Sequence, residues 1–325
     1  MGSRIVATGR ALPRTAVSNQ DLERFMDTSD DWIKSRTGIG RRYTLRSGES
    51  LAEIATQASR IALDRAGMKP SDLDAIVVGT VSSEYAFPSF GCQIQSQLGA
   101  DTIPAFDVAA ACSGFIYALS VADMSMRAGD FQRVLVVGAD ALSTFVDWTD
   151  RRTAVLFGDG AGAAVLVMEP GDRGILGSLL RSSGKHWDLL SCPATGTRGT
   201  LDSEARRDPS DAIKMKGPEL FKIAVKSMEE VSRQVAARAN VKIEDVNLVV
   251  GHQANQRIIN AVAERLGVPS EKVFINIDRY GNTSAASVPI ALDEAIEQGR
   301  VHDGDLVMLN ACGGGLTWGA NLLRW

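Results

Sequence analysis

Cysteine and histidine are scarce in this chain of 325 residues. There are four cysteines, at 92, 112, 192 and 312, and three histidines. No two cysteines form a CxxC pair, and no cysteine–histidine spacing suits a metal, so neither a zinc centre nor any other metal is expected. Thiols this few and this scattered are expected to be free, as in a reducing compartment. Long apolar runs are also lacking. None approaches the ~20 residues needed to cross a bilayer, and the opening "MGSRIVATGRALPRT" has no apolar signal core. There is no excess of positive charge: 35 Lys and Arg stand against 39 Asp and Glu, a net charge of −4, which gives no reason to expect nucleic acid as a partner. What is present is core. Hydrophobic residues make up 45% and charged residues 23%, enough for about two domains or one large α/β unit. The expectation is a soluble, cytoplasmic protein with no membrane or nucleic-acid partner.

Apolar, β-branched runs predict buried strands at "AIVVG" (75–79), "VLVVG" (134–138), "AAVLVM" (163–168), "LVVG" (248–251), "VFINI" (273–277) and "DLVML" (305–309). Helical patterns lie between them. "SLAE" at Ser50–Glu53 reads as a capping box, and Gly67 ends that helix. "FIYALSVADMSMRAG" sets Phe115, Leu119, Ala122 and Met126 on one face and stops at Gly129. Pro218 opens a helix running to about Asn240. Alternating strands and helices predict α/β layers.

The two halves of the chain resemble each other. "MKPSDLDAIVVG" (68–79) matches "VKIEDVNLVVG" (241–251), and "RVLVVG" (133–138) matches "GDLVML" (304–309). "FDVAAACSGFIYAL" (106–119) matches "INIDRYGNTSAASVPIAL" (275–292), and all offsets stay between 168 and 173 residues. A steady offset points to a duplicated unit. The expected halves are 1–170 and 171–325, joined in "VMEPGDRG". The polar run 188–211 reads as a surface loop or insertion.

Cys112, His252 and Asn282 each follow an expected strand and precede a helix, on the edge where α/β sheets bind ligands. A thiol at a helix start is expected to have a lowered pKa and to be nucleophilic. The small residues around it would admit an acyl thioester. His252 and Asn282 suit hydrogen-bond donation to an enolate oxygen, and "ACGGGLTWG" (311–319) could supply a backbone N–H beside the Cys112 amide. Each piece has a plainer reading. Cys112 is also a small hydrophobe, His252 a structural hydrogen-bonder and "GNTS" an ordinary turn. "GDGAGA" (158–163) precedes a strand rather than opening a helix, so it reads as close glycine packing, not a dinucleotide loop.

In combination, "DVAAACSGFIYAL", "GHQANQRI", "DRYGNTSAASVP" and "GGGLTWG" resemble the β-ketoacyl-acyl-carrier-protein synthase III family of the thiolase superfamily, over essentially the whole chain. The resemblance implies a five-layer αβαβα thiolase-like fold and a catalytic trio of Cys112, His252 and Asn282. It implies an oxyanion hole made by the amides of Cys112 and Gly314. It implies a decarboxylative condensation of an acyl-CoA primer with malonyl-acyl carrier protein, starting fatty-acid synthesis, with coenzyme A thioester as substrate and no cofactor. Trp32, Arg36 and Arg151 would hold the CoA adenine end, and Phe221 and Asn255 would line the pantetheine tunnel. Phe87 would close the acyl pocket of a partner in a homodimer. Acidic carrier proteins call for a basic docking face, for which Arg257, Lys214, Lys216, Lys222 and Lys226 are candidates. One departure is Pro218, where the family pattern has asparagine.

Three rivals stand beside this reading. A thiolase would use Cys312 as a second cysteine. A condensing enzyme or acyltransferase of specialised metabolism would use the same trio. A non-catalytic scaffold would only bind carrier proteins.

Overall fold

The computed structural model describes residues 2–193 and 211–325. Of the polar run 188–211, residues 194–210 therefore lie outside the described residues. The amino-terminal part contains β1 (Gly2–Ala11), β2 (Ala16–Ser18), α1 (Asn19–Leu22), α2 (Asp30–Thr37), β3 (Arg41–Tyr43) and α3 (Leu51–Ala66). Next come β4 (Ala75–Gly79), α4 (Phe90–Leu98), β5 (Ala105–Val108), α5 (Gly114–Ala128), β6 (Arg133–Ala141) and β7 (Asp159–Glu169). The carboxy-terminal part runs through β8 (Gly174–Ser182), β9 (Leu190–Ser191), β10 (Lys214–Met215), α6 (Gly217–Arg238), β11 (Leu248–Gly251) and α7 (Gln256–Leu266). It ends with α8 (Ile277–Tyr280), α9 (Ser287–Glu297), β12 (Leu306–Gly313) and β13 (Thr317–Arg324).

Two sheets organise these elements. The first has the order β1-β7-β6-β4-β5, with β4 parallel to both β5 and β6 and the other pairs antiparallel. The second has the order β11-β12-β13-β8, with only β11 and β12 parallel. The first is drawn entirely from residues 2–169 and the second from 174–324. Helices α5 and α9 lie between the sheets in one apolar core containing Phe115, Leu119, Val288 and Leu292 together with strand residues of both sheets. Helix α3 covers the outer face of the first sheet, and α6 and α7 cover that of the second. This is the five-layer thiolase-like arrangement. Apolar burial explains why the inner strands read as unbroken hydrophobic runs: they are covered on both faces. On α5, Phe115, Leu119, Ala122 and Met126 are all buried. Burying a large apolar side chain contributes about 1.5–3 kcal/mol, so packing, rather than intrinsic propensity, holds this helix.

Two local expectations change. "VFINI" is not a strand. Only Val273 bridges, to Val249 of β11. The buried Gln253 side chain takes over the next pairing positions, its amide donating to the Phe274 carbonyl and its carbonyl accepting the Asn276 N–H at 3.0 Å. The chain then turns directly into α8. At α3, Ser50 caps the helix by accepting the Ala52 and Glu53 N–H groups. Its own hydroxyl donates to Glu84 at 2.7 Å, and the reciprocal Glu53 bond of a full capping box is not formed.

The duplication is visible at the two central helices. A single 3-10 turn precedes each: Ala111–Ser113 before α5 and Ser284–Ala286 before α9. The first residue of each turn is left-handed, Ala111 at φ 45° and Ser284 at φ 53°. Such a conformation is costly for a residue with a Cβ, about 1–3 kcal/mol, and its recurrence marks the two turns as equivalents. In that register Cys112 matches Ala285, so Asn282 lies a few residues ahead of the cysteine's counterpart. The glycines of "GDGAGA" let this central layer close up. A Cβ on Gly158 would stand 2.5 Å from the Tyr280 carbonyl oxygen, and one on Gly162 would stand 2.8 Å from the Ile290 nitrogen.

Candidate active site

A cavity of about 570 Å³ runs in from the surface between the sheets' carboxyl edges. Arg36, Lys222 and Arg257 line it and are exposed, whereas Cys112, His252 and Asn282 line it and are buried. Three residues on three separate elements thus share the inner part of one cavity. Cys112 sits in the 3-10 turn that leads into α5, as a helix-start position requires.

His252 follows β11, its backbone N–H bonded to the Asn310 carbonyl of β12. Its Nδ1 lies 2.6 Å from the Ser287 hydroxyl. That hydroxyl oxygen already accepts the Gln253 N–H at 3.3 Å. With the Ser287 proton on Nδ1, the imidazole proton sits on Nε2 and is free to donate. Burial pushes the His252 pKa down to about 3, so the ring is neutral at working pH. Asn282 does not follow a strand, as the sequence suggested. It follows α8 and is pinned by bridging to Phe157, with its N–H on the Leu156 carbonyl and its carbonyl accepting from Gly158. Its Oδ1 accepts the Ser284 N–H at 2.9 Å, which leaves the Nδ2 protons for a ligand. The pair is thus preset as two neutral donors.

The cysteine is different from what its helix-start position suggested. Burial is the largest influence on Cys112 and pushes its thiol up to about 12; a hydrogen bond from Ser284 at 3.4 Å and its own amide oppose this without reversing it. Burial therefore favours the thiol over the thiolate, against the direction that a helix start favours. Cys312 lines the same cavity, and burial also raises it to about 12. Cys92, Cys112 and Cys312 are free thiols.

The glycine run that follows packs against the nucleophile. A Cβ on Gly313 would fall 2.6 Å from the Cys112 nitrogen, so no larger residue fits there. Gly314 is one peptide further on, against the Leu190 carbonyl.

The other expected residues are distributed as follows. Trp32 has two guanidinium groups over its ring, Arg36 and Arg151, each 4.9 Å from the centroid. Arg151 also donates to the Asp27 carbonyl at 2.6 Å. Phe221 and Asn255 line the cavity, and Asn255 caps α7 while donating to the Arg36 carbonyl at 3.1 Å. Pro218 lines it too, where a side-chain hydrogen-bonding group is therefore lacking. Phe87 is 85% exposed and is not part of this chain's own cavity. Of the lysines, Lys222 reaches the cavity. Lys216 pairs with Asp188 and Lys226 with Glu230, and Lys214 lines a neighbouring depression beside Asp150 and Arg152. Sequence reasoning missed Ser284, Ser287, Gln253 and Gly313. Ser287 stands 35 positions from the histidine it orients, and no local pattern connects them.

Among the described residues no group of His, Cys, Asp and Glu could hold a metal, and no helix is long and apolar enough to cross a membrane.

Comparison with known proteins shows the family of the chain. Residues 106–184 match the 3-oxoacyl-[acyl-carrier-protein] synthase III family model, and residues 236–325 match the model of the carboxy-terminal part of that synthase. A β-ketoacyl-[acyl-carrier-protein] synthase III of Aquifex aeolicus is 50% identical over 325 residues, covering 100% of both chains. The crystal structure of the 3-oxoacyl-[acyl-carrier-protein] synthase III from Aquifex aeolicus superposes with a TM-score of 0.93 at 50% identity, covering 100% of each chain. The enzyme of that name from Thermus thermophilus superposes with a TM-score of 0.92 at 41% identity, covering 99% of each. The chain therefore belongs to the β-ketoacyl-acyl-carrier-protein synthase III family.

Proposed function

We propose that this protein is a β-ketoacyl-acyl-carrier-protein synthase III that joins an acyl-CoA primer to malonyl-acyl carrier protein and so starts fatty-acid chains. The observation that carries the reading is the buried end of the cavity: a cysteine at a helix start, Cys112, beside two neutral donors, His252 and Asn282, whose remaining hydrogen-bonding atoms are already committed.

Cys112 attacks the acyl thioester, and coenzyme A leaves as its thiol. The amides of Cys112 and Gly314 hold the oxyanion of that step. Malonyl-carrier protein then enters. His252 Nε2–H and Asn282 Nδ2–H donate to its thioester oxygen, which stabilises the enolate as carbon dioxide departs. The enolate carbon attacks the acyl-enzyme, and Cys112 is released. Neutral donors suit this work, because a buried imidazolium would have to be desolvated first. Trp32, Arg36 and Arg151 take the adenine end of coenzyme A, and Phe221 and Asn255 the pantetheine arm. Arg257 and Lys222, with Lys214 behind them, face the acidic carrier. No cofactor enters the scheme. The free thiols suit the cytoplasm, and the halves 1–170 and 171–325 each contribute part of the site.

The chain pairs with a second copy along β5, one of the two edge strands of the first sheet among the described residues, with the exposed Tyr85 and Phe87 of the β4–α4 connection facing that copy. This places Phe87 against the partner's acyl pocket. A monomeric mass in solution scattering would exclude that arrangement.

The test is product formation from malonyl-carrier protein and a panel of acyl-CoA donors, with carbon dioxide release and the β-ketoacyl carrier read by mass. The Cys312→Ser protein is expected to retain activity within a few-fold, because the scheme asks nothing of Cys312. Loss of activity in Cys312→Ser, with condensation of two acyl-CoAs in the parent, would favour a thiolase.

A further inference from the structure

A fully buried carboxylate, Asp140, ties the first sheet to the turn that carries Ser284, and it has no part in the chemistry described so far. It lies at the end of β6 with 0% exposure. Its Oδ1 accepts the Val81 N–H at 2.9 Å and the hydroxyls of Ser82 and Thr80 at 2.8 and 3.1 Å, all on the segment leaving β4. Its Oδ2 accepts the Ala285 N–H at 3.1 Å. Ala285 is the middle residue of the 3-10 turn Ser284–Ala286 ahead of α9. The same strand meets the other end of that residue, because a Cβ on Gly138 would stand 2.4 Å from the Ala285 carbonyl oxygen. β6 therefore grips Ala285 at both its N–H and its carbonyl. The residue before it, Ser284, is left-handed at φ 53°, and its N–H is the bond that commits Asn282 Oδ1, at 2.9 Å. A left-handed residue with a Cβ persists only where its surroundings hold it.

The pattern of donors calls for a carboxylate rather than any polar side chain. Each oxygen faces a backbone N–H, which cannot turn away as a hydroxyl can. An asparagine of the same shape has one acceptor and one donor end. Whichever way it is turned, its NH2 group meets either the Val81 or the Ala285 N–H, and a buried donor is left without an acceptor.

We propose that Asp140 is a positioning residue for decarboxylation: together with Gly138 it fixes the Ala285 peptide, and through Ser284 it sets the Asn282 amide with Nδ2–H free for the malonyl thioester oxygen. This rests on the condensing-enzyme reading above and adds the group that orients one of its two donors. His252 is held separately, by Ser287. The Ser284 hydroxyl also contacts Cys112 Sγ, but only at 3.4 Å, so a shift of this turn bears on Asn282 more than on the nucleophile.

Asp140→Asn, Asn282→Ala and the double variant are compared with the parent in three measurements. These are carbon dioxide release from malonyl-carrier protein, Cys112 acylation by acyl-CoA in a single turnover, and the nitrogen-15 resonance of the Asn282 side-chain amide, assigned by its absence in Asn282→Ala. Expected for Asp140→Asn is a loss of about 10²-fold in carbon dioxide release, the scale of a reacting group misplaced by about 1 Å. Acylation should stay within a few-fold, and the Asn282 amide resonance should move. In the Asn282→Ala background the same substitution should cost less than a few-fold, because the group it positions is gone. Parental carbon dioxide release and an unmoved resonance in Asp140→Asn would overturn the proposal. So would an equal loss of carbon dioxide release and acylation, or a full loss that persists in the Asn282→Ala background, since both mark a merely structural role. A parent that releases no carbon dioxide would sink the condensing-enzyme reading instead, and the Asn282 resonance would then decide on the positioning by itself. Gly138→Ala presses on the Ala285 carbonyl from the same strand. It takes the place of Asp140→Asn if that protein does not fold, with the same expected pattern and the same overturning results.

Discussion

The Cys112→Ala protein is expected to gain no acyl mass from any acyl-CoA and to lose condensation by at least about 10³-fold, the scale on which removing a covalent nucleophile acts. It is expected still to release carbon dioxide from malonyl-carrier protein. Acylation needs the sulfur, whereas decarboxylation needs only the two donors that hold the thioester oxygen. The substitution removes one buried atom from a residue 5% exposed and lining an existing cavity, so the fold should tolerate it. Intact-protein mass after mixing with donors, alongside a carbon dioxide assay, reads both halves. Acyl mass retained by Cys112→Ala would place the nucleophile elsewhere, with Cys312 the nearest alternative in the cavity.

The complementary result is expected from His252→Ala and Asn282→Ala. Each should lose decarboxylation and condensation by about 10²–10³-fold, the usual effect of deleting one oxyanion donor, while Cys112 still acquires its acyl group. The double variant should fall little below the single ones, because the two donors act on one oxygen and such effects are not additive. A variant that loses acylation as well would show that His252 serves Cys112 directly. His252 also links stability to pH. Its pKa falls from 6.5 to about 3 on burial, so between those values the unfolded chain binds a proton that the folded site does not. Stability from this group therefore decreases as pH falls through that window, by up to about 1.4 kcal/mol per unit, and His252→Ala should remove that dependence from acid unfolding curves.

Much of this site was legible in the chain because its parts are local. Cys112 announces itself by small residues before a helix pattern, whereas Asn255 was named only through the family resemblance. Strands β4, β6, β7, β11 and β12 were legible because burial demands continuous apolar runs, whereas β8 and β13 carry no such unbroken run. "VFINI" misled for the same reason. It is apolar enough for a strand, but the Gln253 side chain, 21 and 23 residues from its two partners, occupies hydrogen bonds that a neighbouring strand would have made. The state of the thiol misled too. A helix start favours thiolate, whereas enclosure of Cys112 favours the thiol, and no sequence position reveals how complete that enclosure is.

By itself, then, the sequence determined the duplicated α/β architecture, the family, and the three residues set before helices, because periodicity, turn chemistry and motif are properties of neighbours along the chain. Only the tertiary structure decided what those residues are chemically. It buried His252 and gave its Nδ1 to Ser287, turned the Asn282 amide by way of Ser284, enclosed the Cys112 thiol and set Asp140 on the Ala285 amide. Protonation and hydrogen-bond direction depend on desolvation and on partners brought together from distant positions, and both exist only once the sheets have closed over the central helices.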